Sequence, residues 1–185
     1  MVAVKKVDMR KVDPDIVEEF CQEAEIMRRL RHPRLTLFMG VALQDPHLCI
    51  VTELCARGSL FDIIHDDTVC FEMTWAKCLR IATDVAQGVA YLHAHKPPIL
   101  HRDLKPSNVL LDDSDKPRVT DFGLAKLLDS DADLTRGGEL LGSPSYLPPE
   151  QVSGGVVGVT GDVYSMCAVL YQLLTARPPF VAETV

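Results

Sequence analysis

The strongest constraint on this chain is one run of eight residues, His101-Arg102-Asp103-Leu104-Lys105-Pro106-Ser107-Asn108. It lies in a stretch, residues 96–120, that loses helical period, where short apolar pieces (Ile99-Leu100, Val109–Leu111, Val119) alternate with polar turns. Thirteen residues past Asn108 stands Asp121-Phe122-Gly123, and twenty-seven past Phe122 stands Pro149-Glu150, inside Gly-Ser-Pro-Ser-Tyr-Leu-Pro-Pro-Glu. Far upstream lies Val2-Ala3-Val4-Lys5.

The segments between these marks have readable periods. Residues 2–7 are rich in β-branched side chains and read as a strand. Asp13-Pro14 supplies a cap and a first-turn proline for a helix over 16–30, where Ile16, Phe20, Ile26, Met27 and Leu30 recur at helical spacing until His32-Pro33. Two strand-like runs follow, 35–43 and 48–54, split by the turn signal Gln-Asp-Pro-His. Beyond Gly58 the pattern turns helical, with a short helix over 59–65 and a longer one over 74–93 that Thr74 can cap. Residues 129–159 are rich in Gly, Ser, Pro and Asp and predict a long irregular segment, which inside a compact domain is usually functional. Residues 162–174 return to helix, apolar enough to be buried nearly all round, and Arg177-Pro-Pro closes it.

Composition narrows the function classes. The 185 residues suit one domain with a real core, at 47% hydrophobic and 24% charged. A formal net charge of -7 argues against a nucleic-acid binder, which needs a basic face for phosphates. Six scattered cysteines form no C-x-x-C pair and fit a reducing, cytoplasmic setting and mostly buried roles. No apolar run approaches the roughly 20 residues of a membrane-spanning helix.

The ordered set Val-Ala-x-Lys, His-Arg-Asp, Asp-Phe-Gly and Pro-Glu resembles the signature set of eukaryotic protein kinases, and the resemblance covers essentially the whole chain. It implies an α+β, two-lobed fold: a small β-rich lobe over residues 1–54 with its one helix, and a larger, mainly helical lobe over 55–185, both incomplete. It also implies an ATP-dependent transfer of phosphate to a protein substrate. That chemistry needs a positioned hydroxyl, clamped phosphates and metal ions against the β- and γ-oxygens. By resemblance Asp103 orients the hydroxyl, Lys105 reaches the transferring phosphate, and Asn108 and Asp121 offer hard oxygens to magnesium. Lys5 contacts the α- and β-phosphates. Its helix partner, among Glu18, Glu19, Glu23 and Glu25, is expected ten residues before the His-Pro proline, which selects Glu23.

The same resemblance makes Ala3 and Leu110 the ceiling and floor of an adenine pocket, Thr52 its gatekeeper, and the backbone of Glu53 and Cys55 its hydrogen-bonding strap. Cys55 reads as a buried thiol, since no cation adjoins it in sequence. Met27, Phe38, His101 and Phe122 match the column that joins the lobes, with Asp162 as its anchor. Lys105 in Asp-Leu-Lys-Pro, and Gly142-Ser143, look like the serine/threonine form, with the Ser143 hydroxyl bridging Asp103 and Lys105. Arg-Gly-Ser-Leu after the strap and Leu-Arg-His-Pro resemble the tyrosine-kinase-like group, which includes the Raf-like and mixed-lineage kinases. Arg102 is expected to meet a negative group of the 121–150 segment, with Glu139 or Thr135 the candidates. The chain also departs from the pattern: the Gly-rich phosphate loop would precede Met1, Pro148 replaces an alanine, and the arginine partner of Glu150 would follow residue 185. Those departures keep a second reading open, a catalytically silent binding module, and predict weak ATP binding by residues 1–185 alone.

Overall fold

The computed structural model describes residues 1–10, 14–44, 46–66, 68, 73–121, 126–127 and 144–180. Strands β1 (Val2–Asp8), β2 (Phe38–Gln44) and β3 (His47–Glu53) form an antiparallel sheet in the order β1-β3-β2. Its register sets Ala3 opposite Thr52 and Lys5 opposite Ile50. Side chains alternate across a strand, so Ala3 and Lys5 share one face with Thr52 and Ile50.

Helix α1 (Pro14–Arg29) turns a stripe of Phe20, Ala24 and Met27 into the same core as Phe38, Leu48 and Ile50 of the sheet. Glu23 falls on that stripe by helical period, and only 3% of it is exposed. A carboxylate placed there must find a partner.

The second body is mainly helical. It contains α2 (Leu60–His65), α3 (Trp75–His93), β4 (Ile99–Leu100), β5 (Val109–Leu111), β6 (Pro117–Val119), β7 (Lys126–Leu127), α4 (Pro149–Val152) and α5 (Val159–Thr175), with 3-10 turns at Pro106–Asn108 and Pro144–Tyr146. Strand β5 pairs with β6, and β4 with β7. Gly58 enters α2 at φ +75°, a conformation other residues rarely adopt. Ser59 then caps α2 through a reciprocal box with Asp62, and Thr74 caps α3 by accepting from Lys77 N. Helix α3 supplies Ile81 and Leu92 to the core of this body, and β4, the 101–108 loop and β5 supply Leu100, Leu104 and Leu111, all at 0–1% exposure. Val169 and Leu173 of α5 join them. Each such side chain contributes about 1.5–3 kcal/mol on burial.

The whole is an α+β, two-lobed arrangement, a β-rich lobe with one helix against a mainly helical lobe. Three elements differ from the sequence expectation. The strand expected over 35–43 begins at Phe38, because residues 35 and 36 are drawn to the other lobe: Leu35 forms a parallel bridge with Val119, and Thr36 N donates to Val119 O at 2.9 Å. Helix α5 is not buried nearly all round. Val163, Tyr171 and Leu174 are 45%, 48% and 41% exposed, because the described partners of α5, namely α3 and the Pro144–Tyr146 turn, leave these side chains uncovered. An apolar groove of about 290 Å³ runs between these two helices, lined by Leu79, Ala82, Met166, Val169 and Leu173 among others. The irregular segment expected over 129–159 contains α4 in its described part.

Candidate active site

Two charged clusters form the site. In the first, Lys5 reaches from β1 toward α1, with Nζ 2.7 Å from Glu23 Oε2 and 3.0 Å from Asp121 Oδ1. Among the other acids of α1, Glu25 pairs with Arg28 and Arg29 at the surface, and Glu18 accepts from Gln22. The Glu19 side chain lies outside the described residues. Burial pushes the Glu23 carboxyl up from its ordinary value, against the pull of Lys5. Burial works against the Lys5 ammonium too, but Glu23 and Asp121 outweigh it and hold its pKa above the ordinary lysine value. The ammonium is therefore fully charged at neutral pH.

The second cluster is the 101–108 loop. Lys105 Nζ lies 2.7 Å from Asp103 Oδ2. Asn108, 4% exposed, donates its amide to the Asp103 carbonyl at 2.8 Å and to Asp103 Oδ2 at 3.0 Å. One carboxylate is thus oriented from two sides, by a cation and an amide.

Beneath the loop sits Asp162, in the first turn of α5 and 1% exposed. It accepts from His101 N at 2.9 Å and Arg102 N at 2.8 Å, and His93 Nε2 lies 2.7 Å from its Oδ2. Burial alone would raise this carboxyl, yet the bonds from His93, His101 and Arg102 hold it below the usual range. His101 Nδ1 accepts from Asp103 N at 3.4 Å, so its Nε2 carries the proton and donates to Thr120 O at 3.0 Å. Arg102 and Asp121 adopt φ of 65° and 58°. Such left-handed residues cost on the order of 1–3 kcal/mol each and persist only where neighbours enforce them. Here the Asp162 carboxylate enforces Arg102 directly.

The expected adenine residues lie around the link between lobes. Ala3 faces Thr52 across the β1–β3 pair, and Leu110 pairs with Arg118 on β6. The segment after the strap is laced to β5 by Arg57 N to Leu111 O (3.1 Å) and Leu111 N to Gly58 O (2.9 Å). Glu53 N is committed to Leu37 O at 3.0 Å, so the backbone group that Glu53 has left for a ligand is its carbonyl. Cys55 is buried, and burial, with Glu53 adding, pushes its thiol up to about 11. It is therefore an unreactive thiol at neutral pH.

Met27, Phe38 and His101 are all buried. Phe122, Thr135, Glu139 and Ser143 lie outside the described residues. His93 was not legible as a site residue, because a histidine in the last turn of a helix carries no motif. Arg118, whose guanidinium meets both lobes, also carried no signal beyond a charge inside a short strand.

Among the described residues no three His, Cys, Asp or Glu side chains gather into a metal cage. Magnesium needs none, since it takes one or two protein oxygens together with substrate phosphates. The donor set fits. The Nδ2 of Asn108 is spent on Asp103, which turns its carbonyl oxygen away from that residue, and the Asp121 side chain is 46% exposed.

The sequence matches the family described as "Protein kinase domain" over residues 1–185. It is 39% identical to the serine/threonine-protein kinase CTR1 of Arabidopsis thaliana, over 97% of this chain and 22% of that protein. It is 35% identical to the serine/threonine-protein kinase STY17 of the same plant, over 97% of this chain and 30% of that protein. The chain therefore spans less than a third of the length of these relatives.

Proposed function

The chain belongs to the protein kinase domain family, and from that premise we propose that the protein carrying it transfers the γ-phosphate of ATP to serine or threonine hydroxyls of protein substrates. The observation that carries the reading is the Asp103 carboxylate held by both Lys105 and Asn108. In this reading Asp103 orients the attacking hydroxyl and accepts its proton. Lys105 is a point charge beside the transferring phosphate. Lys5, kept charged and aimed by Glu23, clamps the α- and β-phosphates. Asn108 and Asp121 would hold magnesium, which when bound neutralises charge on the β- and γ-oxygens. Ala3, Thr52 and Leu110 line the adenine pocket, with the Glu53 carbonyl and the Cys55 backbone as its polar edge. Residues 1–54 then form the small lobe and 55–185 the large one. Ser143 is proposed to bridge Asp103 and Lys105. The names of the relatives and Lys105 in Asp-Leu-Lys-Pro support the serine/threonine choice.

A cytoplasmic setting is supported by the free thiols of Cys21, Cys49, Cys55, Cys78 and Cys167. Among the described residues no helix is long and apolar enough to cross a membrane. The silent-module reading has no observation in its favour. The test is phosphate transfer from ATP and magnesium to a serine/threonine peptide library by the full-length protein. Asp121→Asn should abolish it, and undiminished transfer by that variant would sink the mechanism.

A further inference from the structure

Arg118 stands on β6, three residues before Asp121, and its guanidinium meets three separate segments. Nη1 donates to the Pro33 carbonyl, Nη2 donates to Asp112 Oδ2 at 3.2 Å, and Nε lies 3.8 Å from Glu53 Oε1. Pro33 belongs to the corner between α1 and β2, Asp112 to the β5–β6 turn, and Glu53 to the end of β3. Glu53 in turn closes a clip on Leu37. Its Oε1 accepts Leu37 N at 2.8 Å while its own N donates to Leu37 O at 3.0 Å. The carboxylate thus acts as an extra ladder acceptor where the β2–β3 pairing ends. The Arg118 and Glu53 side chains are 19% and 26% exposed, so water screens their attraction only in part. The two Nη groups donate to a carbonyl and a carboxylate at once, while Nε makes no hydrogen bond and attracts Glu53 by charge alone; an ammonium, a single point, cannot copy that spread.

We propose that Arg118 is a positioning residue for nucleotide binding. It holds the Glu53 carboxylate in one place, through it the backbone of residues 53–55, and it locks that strap to the Pro33 corner. The proposal rests on the kinase reading of residues 53–55.

The experiment uses the full-length protein and Arg118→Met, which keeps the unbranched stem of the side chain and removes its charge and donors. ATP dissociation constants come from calorimetry, kcat from peptide phosphorylation, and amide hydrogen exchange is followed at Leu37 and over 53–57. Arg118→Met should weaken ATP roughly tenfold, change kcat less than about twofold, and speed exchange at Leu37. Arg118→Lys should recover only part of the affinity. Glu53→Gln, which leaves the bonds of Arg118 to Pro33 and Asp112 in place, should weaken ATP as well. Adding Arg118→Met to Glu53→Gln should bring little further loss, since both act through one carboxylate. Independent, multiplying losses in the double variant, or unchanged exchange at Leu37, overturn the proposal while ATP binding by the parent leaves the kinase reading standing. If the parent itself binds no ATP, the kinase reading fails and this proposal with it. Should Arg118→Met fold poorly, Glu53→Gln alone decides: unchanged ATP affinity and unchanged exchange at Leu37 overturn the proposal.

Discussion

At the scale of single residues, the site depends on side chains that hold others. Asp103 is aimed by Lys105 and Asn108, so its neutral isostere tests charge without disturbing shape. Asp103→Asn should lower kcat by about 10²–10⁴-fold, the usual contribution of a positioned base, with ATP affinity changed less than about twofold in calorimetry. Asp162 holds the loop itself. Asp162→Asn presents an amide donor to the N–H groups of His101 or Arg102, and the mismatch should cost about 1–3 kcal/mol in urea unfolding. A pH signature goes with it. The hydrogen bonds of this carboxyl outweigh its burial and depress its pKa, so its contribution is fully present above the unfolded value of about 3.9. It is lost as pH falls through the lower folded value. Parent stability should therefore decline below about pH 4, and Asp162→Asn should show a shallower decline. Asp112 and Asp115, depressed in the same direction, keep the slope from vanishing.

At the scale of elements, α3 shows how a local cost is tied to packing. Gly88 sits in its interior, where glycine is about 1 kcal/mol worse than alanine. A Cβ there would lie 3.1 Å from Arg34 O and 3.3 Å from Arg34 Cβ, so the glycine lets α3 press against the backbone of the α1–β2 connection. Gly88→Ala sets a gain in helix propensity against a tight contact that needs a small shift. It should change stability by less than about 1 kcal/mol. Gly88→Leu should destabilise by about 1–3 kcal/mol or more, as overpacked sites do. Equal urea midpoints for the two variants would contradict this account. Helix α1 makes the complementary point, since its apolar stripe carries Glu23 into the core and the register of β1 brings Lys5 to meet it.

At the scale of the whole molecule, the lobes meet at the segment around residue 34. Arg34 Nη2 pairs with Asp84 of α3 at 2.8 Å, His32 stacks on Tyr91 at 4.7 Å between ring centres, and Val119 N donates to Arg34 O at 2.8 Å. The Arg34–Asp84 side chains are 22% and 10% exposed, so removing one leaves its partner largely dehydrated. Asp84→Ala should cost about 2–3 kcal/mol, below the range for fully buried pairs because water reaches the arginine. Ligand linkage gives an independent check on the full-length protein. ATP with magnesium at about 100 times its dissociation constant should stabilise the parent by about 2.7 kcal/mol. Asp84→Ala, remote from the phosphate cluster, should keep most of that increment, whereas Asp121→Asn should lose it. Loss of the increment in both variants would mean that the lobe contact, rather than the proposed metal ligand, controls binding.

The sequence alone determined what is local and periodic. Helices α1, α2, α3 and α5 and the three strands of the small lobe were legible because their apolar residues repeat with the period of the element. The 101–108 loop stood out because its residue types are a chemical set. The choice of Glu23 came from a resemblance, since any of several helix acids met the local rule, and only the β1–β3 register and the face of α1 bring its carboxylate 2.7 Å from Lys5. His93, Arg118 and the Arg34–Asp84 pair were invisible in sequence, because each acts on a group 50 or more positions away and a lone charge in a helix or strand does not say what it will face. The late start of β2 had the same origin. Residues 35 and 36 have strand character, but β6 competes for their backbone, and only the packed molecule decides which partner wins. The exposed side of α5 follows likewise, since apolar composition favours burial but cannot supply the neighbour that buries it.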